Sequence, residues 1–198
     1  LFRRISMIQK EGCNVAKLSA TDSLGGYDKE IGNIRLREIA NQSLIAMAIP
    51  QGEESKFKNN IKNIFNLKMP SPTKSVKNKD TRLLFTQPDQ IFILTKKAED
   101  PENSMAVTFG ESAYITDQTD AWVILEISGE SSREALERIC QVDLDKNVFQ
   151  LDGMARTSME HMSAIIIRKA DDTFYLMSAS SSAKSFLHAV ELSAQHVS

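Results

Sequence analysis

Two distant stretches of this sequence follow the same plan. Leu44-Ile-Ala-Met-Ala-Ile-Pro-Gln-Gly52 leads into a segment where Phe57, Ile61, Ile64 and Phe65 recur at i, i+4, i+7 and i+8 with lysines between them. That spacing puts the apolar residues on one side of a helix and the charges on the other. Trp122-Val-Ile-Leu-Glu-Ile-Ser-Gly129 leads in the same way to Ala135, Leu136, Ile139 and Cys140. Each half then continues in strand-like runs, Leu83 to Leu94 in the first and Ala155 to Leu176 in the second. A strand–helix–strand–strand unit used twice predicts an α+β fold of split βαβ units, in ferredoxin-like layers packed helix on sheet.

Read along the chain, the first half predicts strands over Ile34–Ile39 and Leu44–Ile49 and a helix from Glu53 that stops by Met69-Pro70-Ser71-Pro72. A polar loop over Thr73–Asp80 and strands Arg82–Thr86 and Gln90–Thr95 around the turn Gln87-Pro88-Asp89 complete it. The second half predicts strands Tyr114–Gln118 and Ala121–Ser128, then a helix whose start at Ser131 and Glu134 has the spacing of a capping box. Strands follow near Ala155–Glu160, Ala164–Lys169 and Thr173–Ala179. A last helix from Ser181 or Ser182 sets Ala183, Phe186, Leu187, Val190, Ala194 and Val197 on its inner side. Residues 1–32 read as an extended arm, and 33–198 as one domain of two quasi-repeats, 33–98 and 112–198.

Composition excludes several classes. At 198 residues, 41% apolar and 25% charged, the chain is an ordinary globular one, long enough to bury a core without staples. No apolar run approaches the roughly 20 residues of a membrane-spanning helix. The basic start Leu1-Phe-Arg-Arg4 has no apolar stretch behind it of the kind a signal peptide needs. Cys13 and Cys140 are too few and too far apart for a disulfide framework or a zinc site, so the cytoplasm is the expected compartment. The net charge of −2 hides an asymmetry, since residues 1–98 hold 17 Lys/Arg against 9 Asp/Glu and residues 99–198 hold 7 against 17. The basic stretch Lys56–Arg82 lacks the interleaved aromatics that stack bases, which makes a nucleic-acid partner a minor reading.

The motifs of catalysis are missing. Neither a phosphate loop, nor a dinucleotide fingerprint, nor a G-x-S-x-G elbow occurs, and the eight glycines are scattered. Cys140 with His161 is the conceivable thiol–imidazole pair, but Cys140 falls on a predicted apolar stripe, where a cysteine acts as a small hydrophobe. His188 and His196 are spaced too widely along one helix to share a metal. Asp117 and Asp120 bracket a tight turn whose residues are ordinary turn formers. Trp122 reads as a core or interface anchor, and Arg156 and His161 as structural or partner-binding groups. No catalytic, cofactor-binding or metal-binding residue is expected.

Thr116-Asp-Gln-Thr-Asp-Ala-Trp122 followed by Ile127-Ser-Gly129 resembles the central signature of the γ subunit of heterotetrameric sarcosine oxidases. Cys140-Gln-Val-Asp143-Leu, Phe149, Ala155-Arg-Thr157, Glu160-His-Met162, Ile165-Ile-Ile-Arg168 and Ser180-Ser-Ser-Ala183-Lys-Ser-Phe186 with His188 follow in the family's order. The likeness covers residues 112–190, is looser before residue 80, and has Ile91 where the family often has Trp. It implies a fold similar to the folate-binding domain of glycine-cleavage aminomethyltransferases. It further implies a non-catalytic assembly subunit working with α, β and δ chains, which together demethylate sarcosine to glycine. In that complex O₂ gives hydrogen peroxide, tetrahydrofolate takes the one-carbon unit, and FAD, covalent FMN, NAD and zinc sit on the other subunits. The alternatives are a stand-alone folate-binding aminomethyl- or formyl-transferase and a tRNA-binding module. The apolar arm and the basic loop Thr73–Asp80 are the segments expected to touch partners.

Overall fold

The computed structural model describes residues 21–198. Eleven strands and four α-helices are found among them. The expected arm splits here: residues 1–20 lie outside the described residues, while Asp28–Ile31 (β1) is a strand paired antiparallel with Ile34–Glu38 (β2). The end of the arm is therefore part of a sheet.

Gln42–Ala48 (β3), helix Glu54–Phe65 (α1), and Val76–Lys77 (β4), Thr81–Gln87 (β5) and Gln90–Lys96 (β6) form the first unit. Helix Pro101–Phe109 (α2) and strand Tyr114–Asp117 (β7) follow it. The second unit runs Trp122–Ser128 (β8), helix Ser132–Glu137 (α3), Met154–Met159 (β9), Met162–Ala170 (β10), Thr173–Ala179 (β11) and helix Ala183–Gln195 (α4). The sheets read β4-β5-β6-β3-β7 and β9-β10-β11-β8-β2-β1, with every neighbouring pair antiparallel. The repeat is thus real, and β4 is the strand of it that the sequence did not announce, the edge strand equivalent to the expected β9. Within each unit, a strand lies between the two parallel strands that the helix connects (β6 between β3 and β5, β11 between β8 and β10), which is the split βαβ arrangement.

The strand that leads into each unit joins the sheet of the other. β2 precedes β3 yet pairs with β8, and β7 precedes β8 yet pairs with β3. Two short connections, residues 39–41 and 118–121, carry the chain from one sheet to the other. They are pinned by Ile39 N–H to the Ile124 carbonyl at 2.8 Å, Gln118 N–H to the Leu44 carbonyl at 2.8 Å, and Leu44 N–H to the Thr119 hydroxyl at 3.1 Å.

Four layers result, helix–sheet–sheet–helix. Alternation along each strand feeds two different cores. On β3, Leu44 and Ala46 face the other sheet, while Ile45 and Met47 face Phe57, Ile61 and Phe109 of α1 and α2. On β10 and β11, Ile165, Ile167 and Met177 face between the sheets, and Ala164, Ile166 and Leu176 face Phe186, Val190 and Ala194 of α4. Strands covered on both sides read as continuous apolar runs, which is how Leu44–Ile49 and Ala164–Ile167 look in the sequence.

Three local expectations change. Residues 101–109 form a helix that apolar periodicity does not announce, although Asp100 at its N-cap accepts from Asn103 N–H and Pro101 opens its first turn. The capping box at Ser131 does not form: the Ser131 hydroxyl accepts from Asn33, and the neighbouring Ser132 hydroxyl donates to the Gly129 carbonyl. Cys140 lies past the end of α3, in an isolated bridge to Met159 rather than on the helix.

Candidate functional site

The two crossovers frame a cleft of about 460 Å³ that opens between the sheets, lined among others by Glu38, Gln42, Leu44, Thr119, Asp120 and Trp122. Trp122, the first residue of β8, is partly buried, with its ring set edge-on to Phe92 of the opposite sheet at 5.5 Å and 78°. It therefore anchors the sheet–sheet contact and walls the cleft at once. Glu38 is held by Leu24 N–H at 2.9 Å and Gly26 N–H at 2.8 Å, which fastens the turn after residue 21 over the mouth. Asp117 accepts from Thr119 N–H and hydroxyl, a local turn in which only Asp120 stays clear as an exposed carboxylate on the cleft. Paired acid–base work by Asp117 and Asp120 is not supported by that geometry.

Arg156 and His161 are not brought together. Arg156, on edge strand β9, donates to the Thr86 carbonyl of the other sheet at 3.0 Å and so clips the two sheets at the side away from the crossovers. His161 is exposed at the β9–β10 turn, where Glu160 and His161 both have left-handed backbones, φ 45° and 68°. Cys140 is buried, and burial pushes its thiol up, with the Val142 amide and the Thr157 hydroxyl offsetting part of that rise. His161 is not among the groups that act on it. His188 and His196 line a shallow groove on α4, and the His196 ring lies 3.2 Å from Arg138. Among the described residues no group of three or more His, Cys, Asp or Glu could hold a metal ion, and no helix is long and apolar enough to cross a membrane.

The loop Thr73–Asp80, expected to touch partners, is bound inward at its centre. Ser75 is buried, its N–H and hydroxyl both donate to the Asp152 carbonyl at 2.9 Å, and Met154 N–H donates to the Thr73 carbonyl. This lacing matches the clip at Arg156: both join the edge of one sheet to that of the other.

Sequence reasoning passed over three buried charges. Glu126 points between the sheets, 6% exposed, and receives Arg37 Nε at 2.8 Å and Lys169 Nζ at 2.5 Å. Burial alone would raise its carboxyl, but the bonds from Lys169 and Arg37 outweigh burial and hold it below the ordinary range. Arg82 donates through Nη1 to Ser75 at 2.6 Å and Asp152 at 2.8 Å. Arg168 donates to the carbonyls of Phe149 and Asp171, each at 2.9 Å. The signal for each was a charge inside an otherwise apolar strand, as in Trp122-Val-Ile-Leu-Glu126.

The layer order and the exchanged leading strands define an aminomethyltransferase-like fold. No protein-family model matches the chain, and no curated protein sequence matches it. Among solved structures it is similar to the heterotetrameric sarcosine oxidase from Corynebacterium sp. U-96 in complex with pyrrole 2-carboxylate, at TM-score 0.74 and 15% identity, over 83% of this chain and 85% of that one. It is also similar to the glycine cleavage system aminomethyltransferase T from Bartonella henselae, at TM-score 0.52 and 16% identity. That match covers 77% of this chain and 44% of the other, so the present chain spans less than half of the transferase. At these identities the likeness is one of fold.

Proposed function

We propose that this chain is the γ-type assembly subunit of a heterotetrameric amine oxidase that demethylates sarcosine or a closely related N-methyl amine. The observation that carries the reading is the near end-to-end likeness to a chain of a heterotetrameric sarcosine oxidase, 83% of one and 85% of the other. The signature Thr116–Gly129 supports it independently. That stretch builds the crossover and strand β8, the centre of the larger sheet, so its residues serve the architecture that the likeness describes. In this reading α, β and δ chains carry FAD, covalent FMN, NAD and zinc, tetrahydrofolate accepts the one-carbon unit, and the complex works in the cytoplasm.

A tagged copy pulled down from its native cells tests this. Co-purifying large chains with flavin absorbance and sarcosine-dependent peroxide are the expected result. A colourless, solitary protein would refute it. Tetrahydrofolate binding to that solitary protein would then favour the transferase-like reading, for which the crossover cleft with Trp122 and Asp120 is the place to look.

A further inference from the structure

A second cavity opens between the sheets, about 310 Å³, with Leu94 and Tyr175 as its apolar floor and Gln42, Lys79, Arg82 and Lys169 among its walls. Two ion clusters flank it, and in each the cations outnumber the acids. Glu126 is shared by Arg37 and Lys169, and Asp152 by Arg82 and Lys77. Lys79 adds a further charge, while Asp80, the one acid on the walls, is engaged by Lys96 at 2.7 Å. The sheets therefore hold like charges on both sides of a concave, partly desolvated space, where their repulsion is screened less than on an open surface.

Two donor–acceptor facts sharpen this. The Arg82 side chain is 8% exposed, and its hydrogen bonds within the described residues all leave from Nη1. Nε and Nη2 remain, and that edge of a guanidinium matches a carboxylate in a two-point fork. Gln42, which lines this cavity and the crossover cleft alike, has a carboxamide oxygen that is shut off from solvent and receives no hydrogen bond. An orphaned buried acceptor of this kind is uncommon and costly. The terminal torsion of Gln42 is soft, and a turn about it is what a donor in the cavity would require to reach that oxygen.

We propose that this inter-sheet cavity binds a small organic carboxylate that carries a hydroxyl or amino donor beside it. The carboxylate takes the free edge of Arg82 and the surplus charge of Lys79 and Lys169, and the adjacent O–H or N–H supplies Gln42. Bare anions meet only the first half of the site. The inference does not depend on the assembly reading, because it concerns residues of this chain alone.

Titration calorimetry on the full chain, purified with whatever partners it retains, separates the terms with malate, succinate and inorganic phosphate as probes. Malate is expected to bind about three- to tenfold more tightly than succinate, the worth of one hydrogen bond to an otherwise unpaired group. Gln42→Leu should erase that preference while leaving succinate unchanged. Lys79→Gln, an exposed change that leaves folding alone, should weaken malate and succinate alike by about two- to fivefold. Absence of heat with malate at 10 mM (roughly a hundredfold above a 0.1 mM site) overturns the proposal. So does equal binding of malate, succinate and phosphate, or a Lys79→Gln chain that binds as before.

Discussion

Replacing Glu126 by Gln keeps the shape of the side chain and removes its charge, leaving Arg37 and Lys169 to share no anion. Breaking a fully buried pair by removing one partner costs about 3–5 kcal/mol, and breaking an exposed one costs about 1 kcal/mol or less. Glu126 is 6% exposed, but Arg37 and Lys169 are 38% and 36% exposed and can turn to water. The cost falls between those limits, about 2 kcal/mol. For a chain of this size that lowers Tm by about 4–8 °C. The pH dependence has a fixed sign. The folded-state pKa of Glu126 is depressed, so its contribution is present above the unfolded value of about 4.3 and is lost as pH falls through the folded value. Scanning calorimetry of both proteins should show a Tm gap that is flat from pH 8 to about 5 and narrows below that. A gap under about one degree at neutral pH, or one that widens on acidification, would refute the reasoning, which rests on the scale of these costs.

Other consequences are as direct. The left-handed pair Glu160-His161 is better served by Asn-Gly, and the double change should raise Tm by about 2–4 °C, whereas His161→Val should lower it; thermal unfolding by circular dichroism decides. At Gly129, φ is 121° and an added Cβ would lie 1.9 Å from the Asn33 carbonyl oxygen, so Gly129→Ala should cost about 4 kcal/mol or leave no soluble protein, read by urea unfolding. Arg168→Leu strands the carbonyls of Phe149 and Asp171 and should cost about 3 kcal/mol in the same assay, with Arg168→Lys restoring only part because an ammonium lacks the fork.

Much of the architecture was legible because burial on both sides of a sheet writes itself as apolar runs, and burial on one side of a helix as a 3.6-residue period. Strands β3, β5, β6, β8, β10 and β11 and helices α1 and α4 were recovered in this way. Helix α2 was not, since its inward residues are few (Pro101 and Phe109 are the buried ones) and its signal was the Asp100-Pro101 start alone. Less of the site could be read. Trp122 was expected as a core or interface anchor and packs on Phe92, but Arg156 lies within β9 and His161 in the turn beyond it, and nothing in their spacing tells a sheet-to-sheet clip from an exposed turn.

What the sequence determined by itself is most of the inventory: which segments are strands and which are helices, with β1, β4 and α2 the exceptions, and that the plan is used twice. These follow from local periodicity and turn chemistry. The tertiary structure alone decided that β2 and β7 change sheets, that Glu126, Arg82 and Arg168 find their partners, and that a cavity rich in cations lies between the layers. The physical reason is that alternation along a strand marks two buried faces without naming the sheet that covers either one. A buried charge, likewise, is tolerable only once residues far away in the chain arrive to satisfy it.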